Sequence, residues 1–121
     1  MNCLAVDVGN TSTALGVISE KRVQSVEHVQ GGVGNIDAAD GTLRRLLSGK
    51  QVSGAILASV VPKDNRRWSK LIKSHVGTSP FLVTHKATLG VSIDYPKPAS
   101  IGADRLANAA AAVSRYGAPV I

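Results

Sequence analysis

The sequence predicts a mixed α/β domain, and three observations carry that reading. Short β-rich runs occupy the first thirty or so positions. Apolar residues then recur at helical spacing in three later stretches, and between the first two lies a continuous apolar run, Val52 to Val61, that stops at Pro62. A run of that kind is a strand covered on both faces, as in a parallel sheet. Strands that come first and then alternate with helices make one sheet layered with helices. The chain has 121 residues, enough for a single domain core. With 44% hydrophobic residues and only 3% aromatic, that core must be built from Val, Ile, Leu and Ala.

The first element is a strand, tight turn and strand. Cys3 to Val6 is apolar, Asp7-Val8-Gly9-Asn10-Thr11 is turn chemistry, and Thr13 to Ile18 resumes a β-rich run that closes on Ser19-Glu20. An Asp at the tip of a buried strand faces a desolvation cost of about several kcal/mol unless it meets a metal, a donor or water, so Asp7 asks for a partner. Gly9 lets a ligand approach the backbone. Asn10, Thr11, Ser12 and Thr13 add side-chain donors to the N–H groups of the turn, a combination suited to a phosphate chain. It is not a Walker loop, because no Gly-Lys-Ser/Thr follows and the next element reads as a strand. The plainer alternative is an ordinary Gly-Asn hairpin with a solvated Asp.

Arg22 to Val29 alternates imperfectly and reads as a third strand. Gln30 to Asn35 is a loop whose glycines lack the Gly-x-Gly-x-x-Gly order, and no chemistry is assigned to it. Ile36, Ala39, Leu43, Leu46 and Leu47 mark a helix, with Asn35 or Asp37 as cap and Gly49 just past its end. Pro62 opens a basic helix from about Lys63 to His75. Phe81 to Val83 is a short strand and Ala87 to Ile93 a further extended segment, while two prolines in Tyr95-Pro96-Lys97-Pro98 exclude helix. From Gly102 to Arg115 the pattern is helical again, and Pro119-Val120-Ile121 begins another apolar run.

The formal charge is +6. Five of the fourteen cations, Lys63, Arg66, Arg67, Lys70 and Lys73, fall on the basic helix, opposite Trp68, Leu71, Ile72 and His75. A solvated basic face is the commoner outcome, and the scarcity of stacking aromatics argues against nucleic acid. Cys3 is the single cysteine, so no intrachain disulfide can form, and its position suits a small buried hydrophobe. Trp68 reads as a packing residue. His28, His75 and His85 share no ligand spacing, which argues against zinc. No apolar run approaches the ~20 residues of a membrane helix, and the N-terminus lacks signal-peptide features, so a cytoplasmic protein is expected.

Gly102-Ala103-Asp104-Arg105 opens the last helix. Asp104 lies where the helix dipole and free N–H groups favour a carboxylate, and Arg105 offers five fixed donors. Alone, this reads better as a capped helix with an exposed Asp-Arg pair.

Taken together, Asp7-Val8-Gly9-Asn10-Thr11, Ser59-Val60-Val61-Pro62, and Tyr95 with Pro98 before Gly102-Ala103-Asp104-Arg105-Leu106-Ala107-Asn108 resemble the type III pantothenate kinases in order and spacing, over the whole chain. The resemblance implies a ribonuclease-H-like domain of the actin/hexokinase-like ATPase group over residues 1–117, with 118–121 entering a second domain. It implies transfer of the γ-phosphate of ATP to the primary hydroxyl of pantothenate, the first step of coenzyme A synthesis, in a homodimer. By the same inference Asp7, Val8, Gly9, Asn10, Thr11, Ser12, Thr13 and Ala14 contact the ATP phosphates, and Asp7 orients Mg²⁺ through its water shell. Tyr95, Gly102, Ala103, Asp104 and Arg105 hold pantothenate, with Asp104 as the base.

Family members are roughly twice as long, as two domains of ordinary size require. A second Asp-Gly-Thr turn, the adenine pocket and the site of an activating monovalent cation, potassium or ammonium, are expected beyond Ile121, so the chain by itself is expected not to turn over. Two other classes stay open. One is an accessory factor in transcription that uses the basic helix, and the other is a non-catalytic half that docks through the Ala-rich face of the last helix.

Overall fold

The computed structural model of the chain describes residues 2–20, 22–30, 36–84, 86, 97 and 101–116, without the side chains at 36, 104, 113 and 116. The extended segment expected at Ala87 to Ile93, Tyr95 and the apolar run at Pro119 lie outside these residues. Strands β1 (Asn2–Val8), β2 (Ser12–Ser19) and β3 (Arg22–Gln30) come first, followed by helix α1 (Ile36–Leu47) and strand β4 (Val52–Ser59). A 3₁₀ turn over Pro62–Asp64 then runs into helix α2 (Asn65–Val76), and β5 (Phe81–Leu82) and helix α3 (Ala103–Tyr116) complete the described elements.

The strands form one sheet in the order β3-β2-β1-β4-β5. Its first three strands are antiparallel, whereas β4 runs parallel to both β1 and β5. The expected mixed sheet is therefore present, with β1 between an antiparallel and a parallel neighbour.

Strand alternation decides what each face of the sheet is made of. Leu4, Val6 and Val8 of β1 are buried on one face with Leu15 and Val17 of β2 and Leu57 of β4. Helices α1 and α2 cover this face with Leu43, Leu46, Trp68 and Ile72. Trp68 is fully buried and packs, as its place opposite the cations predicts. Lys63, Arg66, Arg67, Lys70 and Lys73 are all exposed.

The opposite face carries Ala5 and Asp7, and α3 packs there. Ala103 and Leu106 form a smaller core with Val83, against which Ile56 and Ala58 of β4 are partly buried. Only Ala55 and Leu57 of β4 are fully buried, so the strand expected to be covered on both faces is covered completely on one. Cys3 is partly buried, and burial pushes its thiol pKa up.

The imperfect alternation of the third strand has a structural cause. Ser25 pairs with Val17 and Val23 pairs with Ile18, which leaves Gln24 as an extra residue in a bulge. Val23 and Val26 consequently emerge on the α3 side of the sheet, 64% and 51% exposed.

Helix α1 ends at Leu47, and Gly49 just beyond takes a positive φ of 72°. One polar contact ties α1 to α2. His75 Nε2 donates to Asp40 Oδ1 at 2.7 Å, and Arg44 donates to Asp40 Oδ2 at 2.9 Å. The His75 hydrogen bond holds the Asp40 carboxyl below the usual carboxylate range; burial opposes it and the Arg44 charge reinforces it. Because the folded carboxyl ionises more readily than the unfolded one at 3.8, the contact stabilises the fold above that pH, and the contribution is lost as pH falls through the folded value. Asp40→Asn will remove this part of the acid loss of stability, as measured by urea unfolding from about pH 6 down to about pH 2. Parallel stability curves for the two proteins would contradict it.

Candidate functional site

The site is built at the carboxyl end of β1. The chain leaves the strand at Val8 and returns at Ser12, and Gly9 N–H donates to Ser12 O at 2.9 Å. A Cβ placed on Gly9 would lie 2.8 Å from that same carbonyl, so the turn admits no side chain at this position. Asn10 and Thr11 stand exposed at the tip. Val8 and Thr13 face the α1 and α2 side and are buried, so what they offer a ligand is backbone. Thr13 Oγ1 has no hydrogen-bond partner there.

Asp7 departs from the sequence-based expectation. Its strand position pairs with Ala14 and Ala58 in the middle of the sheet, yet the residue is exposed, because it lies on the face that α3 covers only in part. Exposure on this face lowers the desolvation cost foreseen for it.

Parallel pairing brings a second segment to the turn. Val8 is in register with Ser59, and Val60 N–H donates to Val8 O at 3.0 Å. Ser59 Oγ then accepts the Val61 N–H at 3.0 Å. This places Ser59-Val60-Val61-Pro62 beside the Gly9 turn.

The N-terminus of α3 supplies the third segment. Gly102 O accepts the N–H groups of Arg105 and Leu106 at 3.1 and 3.2 Å, so the N–H groups of Ala103 and Asp104 begin the helix without an intrahelical acceptor. A pocket of about 360 Å³ joins this helix start to the strand ends, with Ser59, Asn65, Thr84, Gly102 and Ala103 among its lining. A second, mostly apolar groove of about 450 Å³ runs between α3 and the β1–β2 surface, with Asp7 and Asn108 as its polar members. Val83 lines both. The smaller pocket is the better ligand site, since polar side chains and a helix start converge on it.

Of the residues singled out from the sequence, the structure brings together the turn after Val8, the Ser59 segment and Gly102-Ala103. Arg105 is exposed. Tyr95 and the Asp104 side chain lie outside the description. Asn65 and Thr84 line the smaller cavity and were not singled out, and Asn108, which lines the larger, was quoted only as the last residue of the third motif. Asn65 had one legible signal, its place three residues past the helix-opening Pro62, but no local pattern tells such a residue from an ordinary first-turn polar residue.

Comparison with known proteins adds the deciding observation. A model of the type III pantothenate kinase family matches residues 3–121. The chain belongs to that family. It is 34% identical to the type III pantothenate kinase of Shouchella clausii over 98% of this chain and 49% of the relative. It is 32% identical to that of Halalkalibacterium halodurans over the same shares. The chain therefore spans about half the length of the relatives it matches. Among solved structures, the ROK hexokinase of Thermus thermophilus superposes with a TM-score of 0.51 at 24% identity, covering 68% of this chain and 34% of that one. The fold is thus like that of a hexokinase over the matched part, as the resemblance implies.

In this member of the type III pantothenate kinase family the hairpin turn has no room for a Cβ, and the atom in the way is backbone. Gly9→Ala will therefore cost about 1–3 kcal/mol of stability, read from the urea midpoint. An unchanged midpoint would mean that the turn opens freely.

Proposed function

We propose that this chain carries the pantothenate-binding part and one phosphate-binding turn of an ATP-dependent kinase that converts pantothenate to 4′-phosphopantothenate. The observation that carries the reading is the placement of a Gly-containing turn beside the end of a parallel strand, Ser59-Val60, which in turn shares a pocket with a helix N-terminus. Membership of the type III pantothenate kinase family supplies the substrate.

Phosphoryl transfer demands positioning and charge neutralisation more than covalent help from the protein. In this reading the backbone of Asp7 to Ala14 and the exposed Asn10 and Thr11 side chains contact ATP phosphates, and the tight Gly9 turn lets phosphate oxygens approach the main chain. Among the described residues no cluster of three or more metal-ligating side chains occurs, and Asp7 stands exposed at the strand end. That donor set fits Mg²⁺, which takes few carboxylates and keeps its waters and phosphate oxygens. Bound there, Mg²⁺ neutralises phosphate charge. Gly102 to Arg105, with Tyr95, hold pantothenate, and Asp104 at the start of α3 orients its primary hydroxyl and accepts the proton. A homodimer, a cytoplasmic location and an activating potassium or ammonium ion belong to the same proposal. No helix among the described residues is long and apolar enough to cross a membrane.

Asp104→Asn in the natural full-length protein will lower kcat by about 10²–10⁴. The measurement is phosphopantothenate formed from ATP, Mg²⁺, potassium and pantothenate. A variant that keeps its rate would remove Asp104 from the base role, and a wild-type protein that forms no product would end the kinase reading.

A further inference from the structure

The larger groove lies between α3 and the β1–β2 surface, and its wall is mostly apolar. Its polar members, Asp7 and Asn108, come from opposite walls, one from β1 and the other from α3. The sheet register brings these walls together. Asp7 pairs with Ala58 of β4, one strand spacing of about 4.8 Å away, and Ala58 packs against the core that Ala103 and Leu106 form under the first turns of α3. Those two residues turn the inner face of the helix to the sheet, and Ala107 and Asn108 then line the groove beside β1. Asn108 stands one helical turn past Asp104.

Nothing among the described residues uses the Asn108 carboxamide. The residue is exposed, and its side chain makes no hydrogen bond or ion pair there. It also interrupts a run of good helix formers, with Ala107 before it and Ala109 to Ala112 after it. Asn is a poorer helix residue than Ala, because its side chain competes for nearby backbone groups, so a plain helix would be served better by alanine here. A neutral donor beside Asp7 does have a chemical use. Phosphate oxygens at the Gly9 turn and the Asp7 carboxylate are all negative, and a carboxamide N–H adds a hydrogen bond to phosphate without adding charge or titrating.

We infer that Asn108 is a further catalytic residue of the phosphoryl transfer, its carboxamide N–H donating to an oxygen of the γ-phosphoryl group as that group passes from ATP to the acceptor hydroxyl. This rests on the kinase reading, with ATP phosphates at the Asp7 to Ala14 turn and the acceptor at the start of α3. In the transfer the bond from the γ-phosphorus to the bridging oxygen of ADP breaks, a bond to the primary hydroxyl oxygen forms, and the hydroxyl proton goes to Asp104. Asn108 exchanges no proton. Its donor meets charge that spreads over the equatorial oxygens in the transition state, so it acts on the rate more than on substrate binding.

The test uses the natural full-length protein with Asn108→Ala and Asn108→Asp, measuring phosphopantothenate formation and urea unfolding for each. Asn108→Ala should lower kcat about 10²-fold, the loss of one transition-state donor, while the KM for pantothenate stays within about threefold. Its urea midpoint should be unchanged or higher, and its kcat should keep the wild-type pH profile, since the lost group does not titrate. Asn108→Asp, which sets a second carboxylate against the phosphate, should be slower than Asn108→Ala. Three results would each overturn the assignment and leave the kinase reading intact: a fall in kcat of less than about tenfold in Asn108→Ala, a fall accompanied by a lower urea midpoint or an altered pH profile, or an Asn108→Asp variant as fast as Asn108→Ala. A loss confined to the KM for pantothenate would do the same. A wild-type protein that forms no phosphopantothenate would instead end the kinase reading and this inference with it.

Discussion

The parallel pairing of β1 with β4 is the constraint on which the site depends. It joins Asn2 to Val52 at one end and Val8 to Ser59 at the other. At the carboxyl end the last carbonyl of β1 is taken by Val60 N–H. Beyond that point the chain turns, with Gly9 N–H taken by Ser12 O, and the turn's other main-chain polar groups lie outside the ladder, where water or a ligand completes them. In open α/β sheets ligands bind outside the carboxyl ends of the strands, where the strand order changes direction, and β1 with its antiparallel neighbour on one side and its parallel neighbour on the other marks such a point.

Apolar packing away from the pocket keeps that edge in register. Leu4, Val6 and Val8 are buried under α1 and α2, and a one-residue slip of β1 would carry Asp7 into their place. The same core holds Trp68, which anchors the start of α2 and with it Asn65. Polar groups on the pocket wall are thus positioned by residues that never touch it.

The two faces of the sheet are covered unequally. α1 and α2 seal one face into the main core, whereas α3 lies over β4 and Val83 on the other and brings its N-terminus to the strand ends. Asp7 and the start of α3 belong to this second face, so a carboxylate and a helix dipole share a side of the sheet that remains open to solvent. That suits a reaction whose reactants arrive with charge and water.

Whatever depends on near neighbours along the chain was legible in the sequence. The hairpin around Gly9 follows from turn chemistry, α1 spans the stretch its apolar spacing marks, and α3 starts just past Gly102. Alternation in the third strand was seen to be imperfect but not why, since the bulge at Gln24 is defined only by pairing with Val17 and Ile18. Asp7 was expected at a desolvated strand tip and is exposed, because its burial depends on how far α3 reaches across the sheet. Asn65 carried only its place three residues past Pro62, for the pocket it lines also needs Ser59, Thr84 and Gly102, which are near one another only after folding. Periodicity and turn propensity act over a few residues and can be read directly. Strand partnership and the reach of a helix across a sheet are set by packing between distant segments, and tertiary structure alone decides them.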